Sequence, residues 1–246
     1  MLPAGRYNLT RAKLLKLLAD LKTAPVGIVS LCVPPGAAKA SIEKLITKIS
    51  DARCFPEDIS NLMAESPSGA MLFSGPQQHY LIIPPFPLDV KEGVITTCEI
   101  EPLYSLMTSE LILGLVMVRL GKYAIGVLQG ERLLSSKVGT GLVHARHRQG
   151  GSSAHRFERH REKQIETFFT RICLHAREQL EPYARRIDYI IYGGARETVL
   201  DFRSQCRFLH EFDNRALGRL ISVREPDRAG LIDSIQEAWS SRVVSW

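Results

Sequence analysis

The chain has 246 residues, 45% of them hydrophobic and 24% charged, enough for one large domain or two of ordinary size. Its net charge of +6 fits a polyanionic partner only where that charge clusters. Five scattered cysteines without a C-x-x-C pair indicate neither a zinc site nor a disulfide framework. Lys13, Lys16 and Asp20 interrupt any leader-like run, and the longest apolar candidate, Leu111 to Val118, is too short for a bilayer. A soluble protein of the reducing cytoplasm, with no membrane partner, is expected.

In chain order, Leu14, Leu15, Leu17, Leu18 and Leu21 have helical spacing after Thr10, a plausible N-cap. Val26 to Val33 reads as a strand ended by Pro34-Pro35-Gly36, and Ala38 to Ile49 returns to helical spacing. Ala70 to Phe73 and Tyr80 to Ile83 read as paired strands around Gly75-Pro76. Pro84, Pro85 and Pro87 enforce an extended connection, and Val94 to Ile100 is a further strand. Residues 1–110 are therefore expected to form a small N-terminal α+β domain, with 111–246 as the second.

The second unit opens with a hairpin, Leu113 to Leu120 and Tyr123 to Gln129 about Gly121-Lys122. A third strand is read over Arg132 to Ser136, and a protruding loop over Gly139 to Gly151. Ala154 to Gln179 is the longest predicted helix. Its C-terminal half carries an apolar stripe, Ile165, Phe168, Phe169, Ile172, Ala176 and Leu180, whereas its N-terminal half has only Phe157 among charges. Such a helix should be buried at one end and project at the other. Ile187 to Tyr192 is a strand closed by Gly193-Gly194, read as a strand-to-helix turn. A helix near Glu197 to Phe208, a strand at Leu220 to Val223 and a helix from Asp227 to Trp239 follow. This alternation implies an α/β arrangement, a mixed and mostly parallel sheet flanked by helices.

The basic excess is local. From Lys137 to Lys163 there are seven Lys/Arg against two Glu, so this stretch carries +5 of the +6. At its centre, Gly150 and Gly151 lack a Cβ and let the backbone approach another molecule closely. Arg146, His147, Arg148, Arg156, Arg159 and Arg161 flank them and are expected to bind RNA. His144, His155 and His160 add hydrogen-bonding groups. Their spacing does not suit a metal, and no carboxylate or thiol ligands accompany His144 and His147, so no metal or other cofactor is expected. Phe157 is read first as a packing anchor for the loop's tip and second as a ring for stacking on a base.

The run Gly150-Gly151-Ser152-Ser153-Ala154-His155-Arg156-Phe157-Glu158-Arg159-His160-Arg161 resembles the Gly-Gly-Gln loop and following Ser-Ala-x-Arg-Phe-x-Arg-x-Arg helix of eukaryotic and archaeal class I peptide-chain release factors, a superfamily that includes Pelota. The resemblance extends over Ile187 to Gly194, Leu220 to Trp239, Ile28 to Pro35 and Gly69 to Gly75. Two departures point to a narrower group. No Asn-Ile-Lys-Ser codon-reading sequence occurs, with only the short Ala52 to Ser68 segment in its place, and Ser152 stands where the family has glutamine, with Gln149 on the other side of the glycines. The resemblance also stops short of the C-terminal domain that recruits a GTPase. On these residues the chain is similar to the Vms-like release factors.

That resemblance implies a reduced release-factor N-terminal domain followed by a catalytic domain with a Gly-Gly loop. It implies a peptidyl-tRNA hydrolase that frees nascent chains from tRNA on stalled or split large ribosomal subunits. Large-subunit rRNA and peptidyl-tRNA would be the partners, and stop codons would not be read. The catalytic segment would be Gln149, Gly150, Gly151, Ser152 and Ser153, with the Ser152 N–H as oxyanion donor and Gln149, Ser152 or Ser153 orienting water. Two other readings stand beside it: a non-hydrolytic ribosome-binding rescue factor of Pelota type, and an RNA nuclease using loop histidines as acid and base.

Overall fold

Hydrophobic runs of five to eight residues punctuated by glycine and proline dictate many short strands. A computed structural model, describing residues 4–23, 27–49, 55–144 and 154–246, shows how they pair. In chain order the elements are β1 (Gly5–Leu9), α1 (Arg11–Lys22), β2 (Val29–Val33), α2 (Lys39–Ile49), α3 (Ile59–Ala64), β3 (Ala70–Ser74), β4 (His79–Ile83), β5 (Gly93–Ile95) and α4 (Glu101–Thr108). They continue as β6 (Ile112–Arg119), β7 (Lys122–Gln129), β8 (Arg132–Thr140), α5 (Ala154–Leu180), β9 (Tyr189–Gly194), α6 (Arg196–Gln205), β10 (Ala216–Ile221), α7 (Arg228–Ala238) and β11 (Ser241–Ser245). Short 3-10 segments follow α5, at Glu181–Tyr183, and α6, at Arg207–Arg215.

Two units result: Met1–Ser109 together with Trp239–Trp246, and Glu110–Ala238. The first holds an antiparallel sheet in the order β1-β11-β4-β3-β2-β5. Alternate residues Leu31 and Val33, Ala70 and Leu72, Leu81 and Ile83, and Val244 turn to one face, where they bury Ile42 and Ile46 of α2 with Ile59 and Met63 of α3.

Several elements of this unit differ from the sequence reading. The chain's last residues do not stay with the second unit, because β11 inserts between β1 and β4 of the first sheet. β1 is a five-residue edge strand whose Tyr7 and Leu9 turn inward while Arg6 and Asn8 are exposed, too short an alternation to stand out, and β11, Ser-Arg-Val-Val-Ser, shows none. Of the expected Val94 to Ile100 strand only Val94 and Ile95 pair, in β5, and α4 begins at Glu101 with Pro102 in its first turn, a position that needs no N–H donor.

The second unit has the sheet order β10-β9-β6-β7-β8. β6 runs parallel to β9, and β9 to β10, whereas β6-β7 and β7-β8 are antiparallel, so the sheet is mixed in equal parts. β6 and β7 are near-continuous apolar runs because both faces are covered. On one face Val116, Val118, Tyr123, Ile125 and Val127 pack under Phe168, Phe169, Ile172, Ala176 and Leu180 of α5 with Val199 and Phe202 of α6. On the other, Leu231 of α7 lies against Gly126, and the Ser234 hydroxyl reaches the Met117 sulfur at 3.0 Å. The Gly193-Gly194 turn is as expected: Gly194 has φ +118°, and a Cβ there would strike the Val118 carbonyl.

One covalent tie was not expected. Cys173 of α5 and Cys206, just after α6, form a disulfide with 5.4 Å between their Cα atoms. Thirty-three residues separate the two in sequence, a distance without a local spacing signal. By loop closure alone this bond is worth about 3–4 kcal/mol. A thiol reductant should therefore lower the urea midpoint of the oxidised protein and leave a Cys173→Ala/Cys206→Ala variant unmoved. Equal midpoints for the wild type with and without reductant would show that the bond does not stabilise the native state.

Candidate nucleic-acid interface

The site is built on the two-part character of α5. Its first buried side chain is Phe168, and every described side chain from Arg156 to Thr167 is exposed or only partly covered. Roughly 20 Å of helix thus precede the core-packed half, at 1.5 Å per residue. The sequence supplies the reason: Arg, His, Glu and Lys stand where the other half has phenylalanine and isoleucine.

The chain reaches this helix along a second support. β8 continues to Thr140, beyond the Ser136 expected, and the residues after it run back beside α5. Gly139 and Gly141 are two apart and so share a face of the strand. A Cβ on Gly139 would collide with the Tyr123 phenol, and one on Gly141 with the Phe168 ring. The absence of side chains lets the strand lie flat on these aromatics. Tyr123 is itself fixed by a stacked His175 at 5.7 Å and an edge contact with Phe168 at 6.2 Å. Burial raises its phenol pKa, Arg171 opposes that rise and Glu178 adds to it.

From there the backbone is handed from one α5 side chain to the next. Arg171 donates to the Thr140 carbonyl at 3.4 Å. Val143 packs on the core while Leu142 faces solvent. The His144 N–H donates to Gln164 Oε1 at 3.1 Å, and Arg161 Nε donates to the His144 carbonyl at 3.1 Å. Gln164 Nε2 lies 3.3 Å from His160 Nε2, so one amide joins the strap to the cationic face. Between Arg171 and Arg161 the strap climbs about 15 Å of helix. It ends at His144, and α5 begins at Ala154; the intervening residues carry the glycines.

Of the residues singled out in the sequence, Arg156 and Arg159 are exposed on α5, where with Phe157, His160 and Lys163 they line one open pocket. Their spacing of three and four residues puts Arg156, Arg159, His160 and Lys163 on a common face. Arg161 is half-buried and directed at the strap. Phe157, read as an anchor for the loop's tip, is 51% exposed, and the tip itself lies outside the described residues. Arg146, His147, Arg148, Gln149, Gly150, Gly151, Ser152 and Ser153 lie outside the described residues, as does the side chain of His155. Among the described residues no three His, Cys, Asp or Glu side chains converge as a metal site, and no helix is long and apolar enough to cross a membrane. Sequence reasoning missed Gln164 and Lys163, whose polar side chains on an exposed helix carry no distinguishing signal. The glycine pair at 139 and 141 was visible but was read as loop.

A sequence model of the Actinobacteria/chloroflexi VLRF1 release factors matches residues 112–244, more than half of the chain, from the first residue of β6 through α5 to β11. The chain belongs to this release-factor family. It is also similar to the peptide chain release factor subunit 1 of Archaeoglobus fulgidus, 30% identical over 202 residues, covering 81% of this chain and 48% of that protein. The Pyrococcus abyssi protein of the same name is 30% identical over 165 residues, 65% of this chain and 39% of that one. The chain therefore spans about half the length, or less, of these curated relatives. Among solved structures it is similar to an archaeal translation termination factor, aRF1, at 21% identity and a TM-score of 0.43, covering 94% of this chain and 70% of that one. It is likewise similar to the Vms1 mitochondrial localization core, at 14% identity and a TM-score of 0.42, covering 92% of each.

The strap yields a direct test of the family member's architecture. Gly141→Ala should destabilise the second unit by about 1–3 kcal/mol, the usual cost of overpacking. Phe168→Leu in the same chain should recover part of that loss in a double-mutant cycle read by urea denaturation. Strict additivity of the two changes would remove the proposed contact.

Proposed function

We propose that this chain is a peptidyl-tRNA hydrolase that frees nascent peptides from tRNA on stalled or split large ribosomal subunits, without reading a stop codon. The observation that carries the reading is the cationic, solvent-facing half of α5 in a release-factor family member, placed immediately after Gly150-Gly151. The lack of an Asn-Ile-Lys-Ser sequence supports release independent of codon identity.

The reaction is attack of water on the ester joining the peptide to the ribose 3′ oxygen. The tetrahedral intermediate carries an oxyanion, and the 3′ oxygen leaves with a proton. A backbone N–H aimed at that oxyanion needs no side chain and costs no reorganisation at the moment of reaction. The Ser152 N–H is placed for this role in sequence, after two glycines whose missing Cβ atoms admit close approach to the ester. Gln149, Ser152 or Ser153 orients the water. Gln149 is the first choice because one amide both donates and accepts. Arg156 and Arg159, with Arg146, His147 and Arg148, hold RNA phosphates. Arg161 acts one step back, fixing the strap that leads to the loop.

Ser152 at the family's glutamine position favours one other reading, a rescue factor that occupies the ribosome without hydrolysis. Incubation with large subunits carrying a defined peptidyl-tRNA separates the readings. Free peptide with intact tRNA is expected; unchanged substrate would mean a binder, and cut tRNA a nuclease. Gly151→Ala and Gln149→Ala should each slow release by about 100-fold, the scale of a lost oxyanion or water contact, while subunit binding survives. Full release by both variants would remove the loop from the mechanism.

Phosphate contact makes a separate prediction. Arg156→Ala/Arg159→Ala should weaken RNA binding and reduce the slope of log affinity against log salt by roughly one to two, as counterion release requires. An unchanged slope would place those arginines away from phosphate.

A further inference from the structure

The half-exposed ring of Phe157 is an anomaly on a helix segment that is otherwise charged. It lines one open pocket together with Arg156, Arg159, His160 and Lys163. Gln164 tethers the His160 ring at 3.3 Å, so that side of the pocket is held in place. A lone aromatic among cations is a poor membrane anchor, because an interfacial helix needs a continuous apolar face, and His160, Arg161 and Gln164 stand on the face of Phe157. Acidic peptides would satisfy the cations and leave the ring without use. A ligand that matches both parts has a planar apolar face joined to phosphate, which describes an RNA nucleotide. In a duplex each base face is already covered by its neighbours, so only an unpaired base can lie on the ring.

We propose that Phe157, Arg156, Arg159, His160 and Lys163 form a binding site for one unpaired RNA nucleotide, the base stacked on Phe157 and the adjoining phosphates held by the arginines and Lys163. This deepens the functional reading given above and rests on it for the identity of the ligand as RNA. The site binds and orients; the chemical step stays with the loop. Stacking of this kind tolerates any base, because every base has a π face.

The test uses the full chain, an eight-nucleotide single-stranded RNA and the same sequence as a blunt duplex, with binding read by fluorescence anisotropy. Phe157→Leu keeps an apolar side chain and removes the ring. It should lower single-strand affinity by about 5- to 100-fold with no change in duplex affinity or in salt slope. Lys163→Gln should instead reduce the single-strand salt slope by about 0.7. Phe157→Trp should retain affinity, and its added fluorescence should be quenched on binding. Far-ultraviolet circular dichroism confirms that each variant keeps α5. Equal losses for single strand and duplex, no loss at all, or an unquenched tryptophan would overturn the stacking site. If wild-type protein binds the oligonucleotide as described yet frees no peptide from tRNA, the release reading fails and the nucleotide site stands. If release is intact and Phe157→Leu changes nothing, the reverse holds.

Discussion

The arrangement depends on the seating of residues 139–144 on α5. A helix that leaves its core for some 20 Å would, alone, leave the segment before it tied at one end. The strap supplies the second tie. Two glycines allow it to lie on Tyr123 and Phe168, and three side chains of α5, Arg171, Gln164 and Arg161, hold its backbone. The bonds to His144 satisfy both its N–H and its carbonyl where no neighbouring strand remains to do so. Individually such bonds are worth about 1 kcal/mol. Together they fix residues 139–144 along α5.

Support for the strap comes in turn from the aromatic layer under it. Phe168 touches both the strand and Tyr123, and Phe169 packs on Phe202 of α6 at 5.5 Å. One turn further on, Cys173 is bonded to Cys206. The buried half of α5 is therefore held by packing, by the strap and by a covalent bond, all within the second unit. A displacement of Phe168 would be felt at Gly141 above it and at Phe169 beside it, since cores of this density do not deform locally without cost.

How far the sequence revealed this can be traced residue by residue. α5 was legible because its apolar stripe has helical period from Ile165 to Leu180 and then stops. The β6-β7 hairpin was legible from two apolar runs about Gly121-Lys122, and the β9 turn from Gly193-Gly194. β1 and β11 were not, because β1 pairs only with β11, across more than two hundred positions, and β11 in turn with the distant β4. α4 was hidden by β-branched residues just before it. The strap was hidden for another reason: Gly139 and Gly141 look like turn residues, and only the two rings beneath them explain why glycine is needed in a straight strand. At the site, the cationic cluster was plain in the composition. The division of labour among its members was not, since that is set by which way each side chain faces on the helix.

That division bears on how the charge works. Five arginines near the glycines look equivalent in sequence, yet Arg161 donates its Nε to a main-chain carbonyl, whereas Arg159 and Arg156, about half a turn and one and a half turns nearer the helix start, face solvent. An arginine committed to a carbonyl still contributes long-range potential, but its planar fork is less free to grip a phosphate in bidentate fashion. Long-range attraction of a polyanion would draw on the whole cluster, and the short-range contact proposed above belongs to Arg156, Arg159 and Lys163. The two functions respond differently to substitution. Removing a steering charge anywhere in the segment lowers association rate in a salt-dependent manner. Removing Arg161 also takes away the bond that holds the His144 carbonyl. Arg161 thus joins the charge of the cluster to the stability of the strap in one side chain.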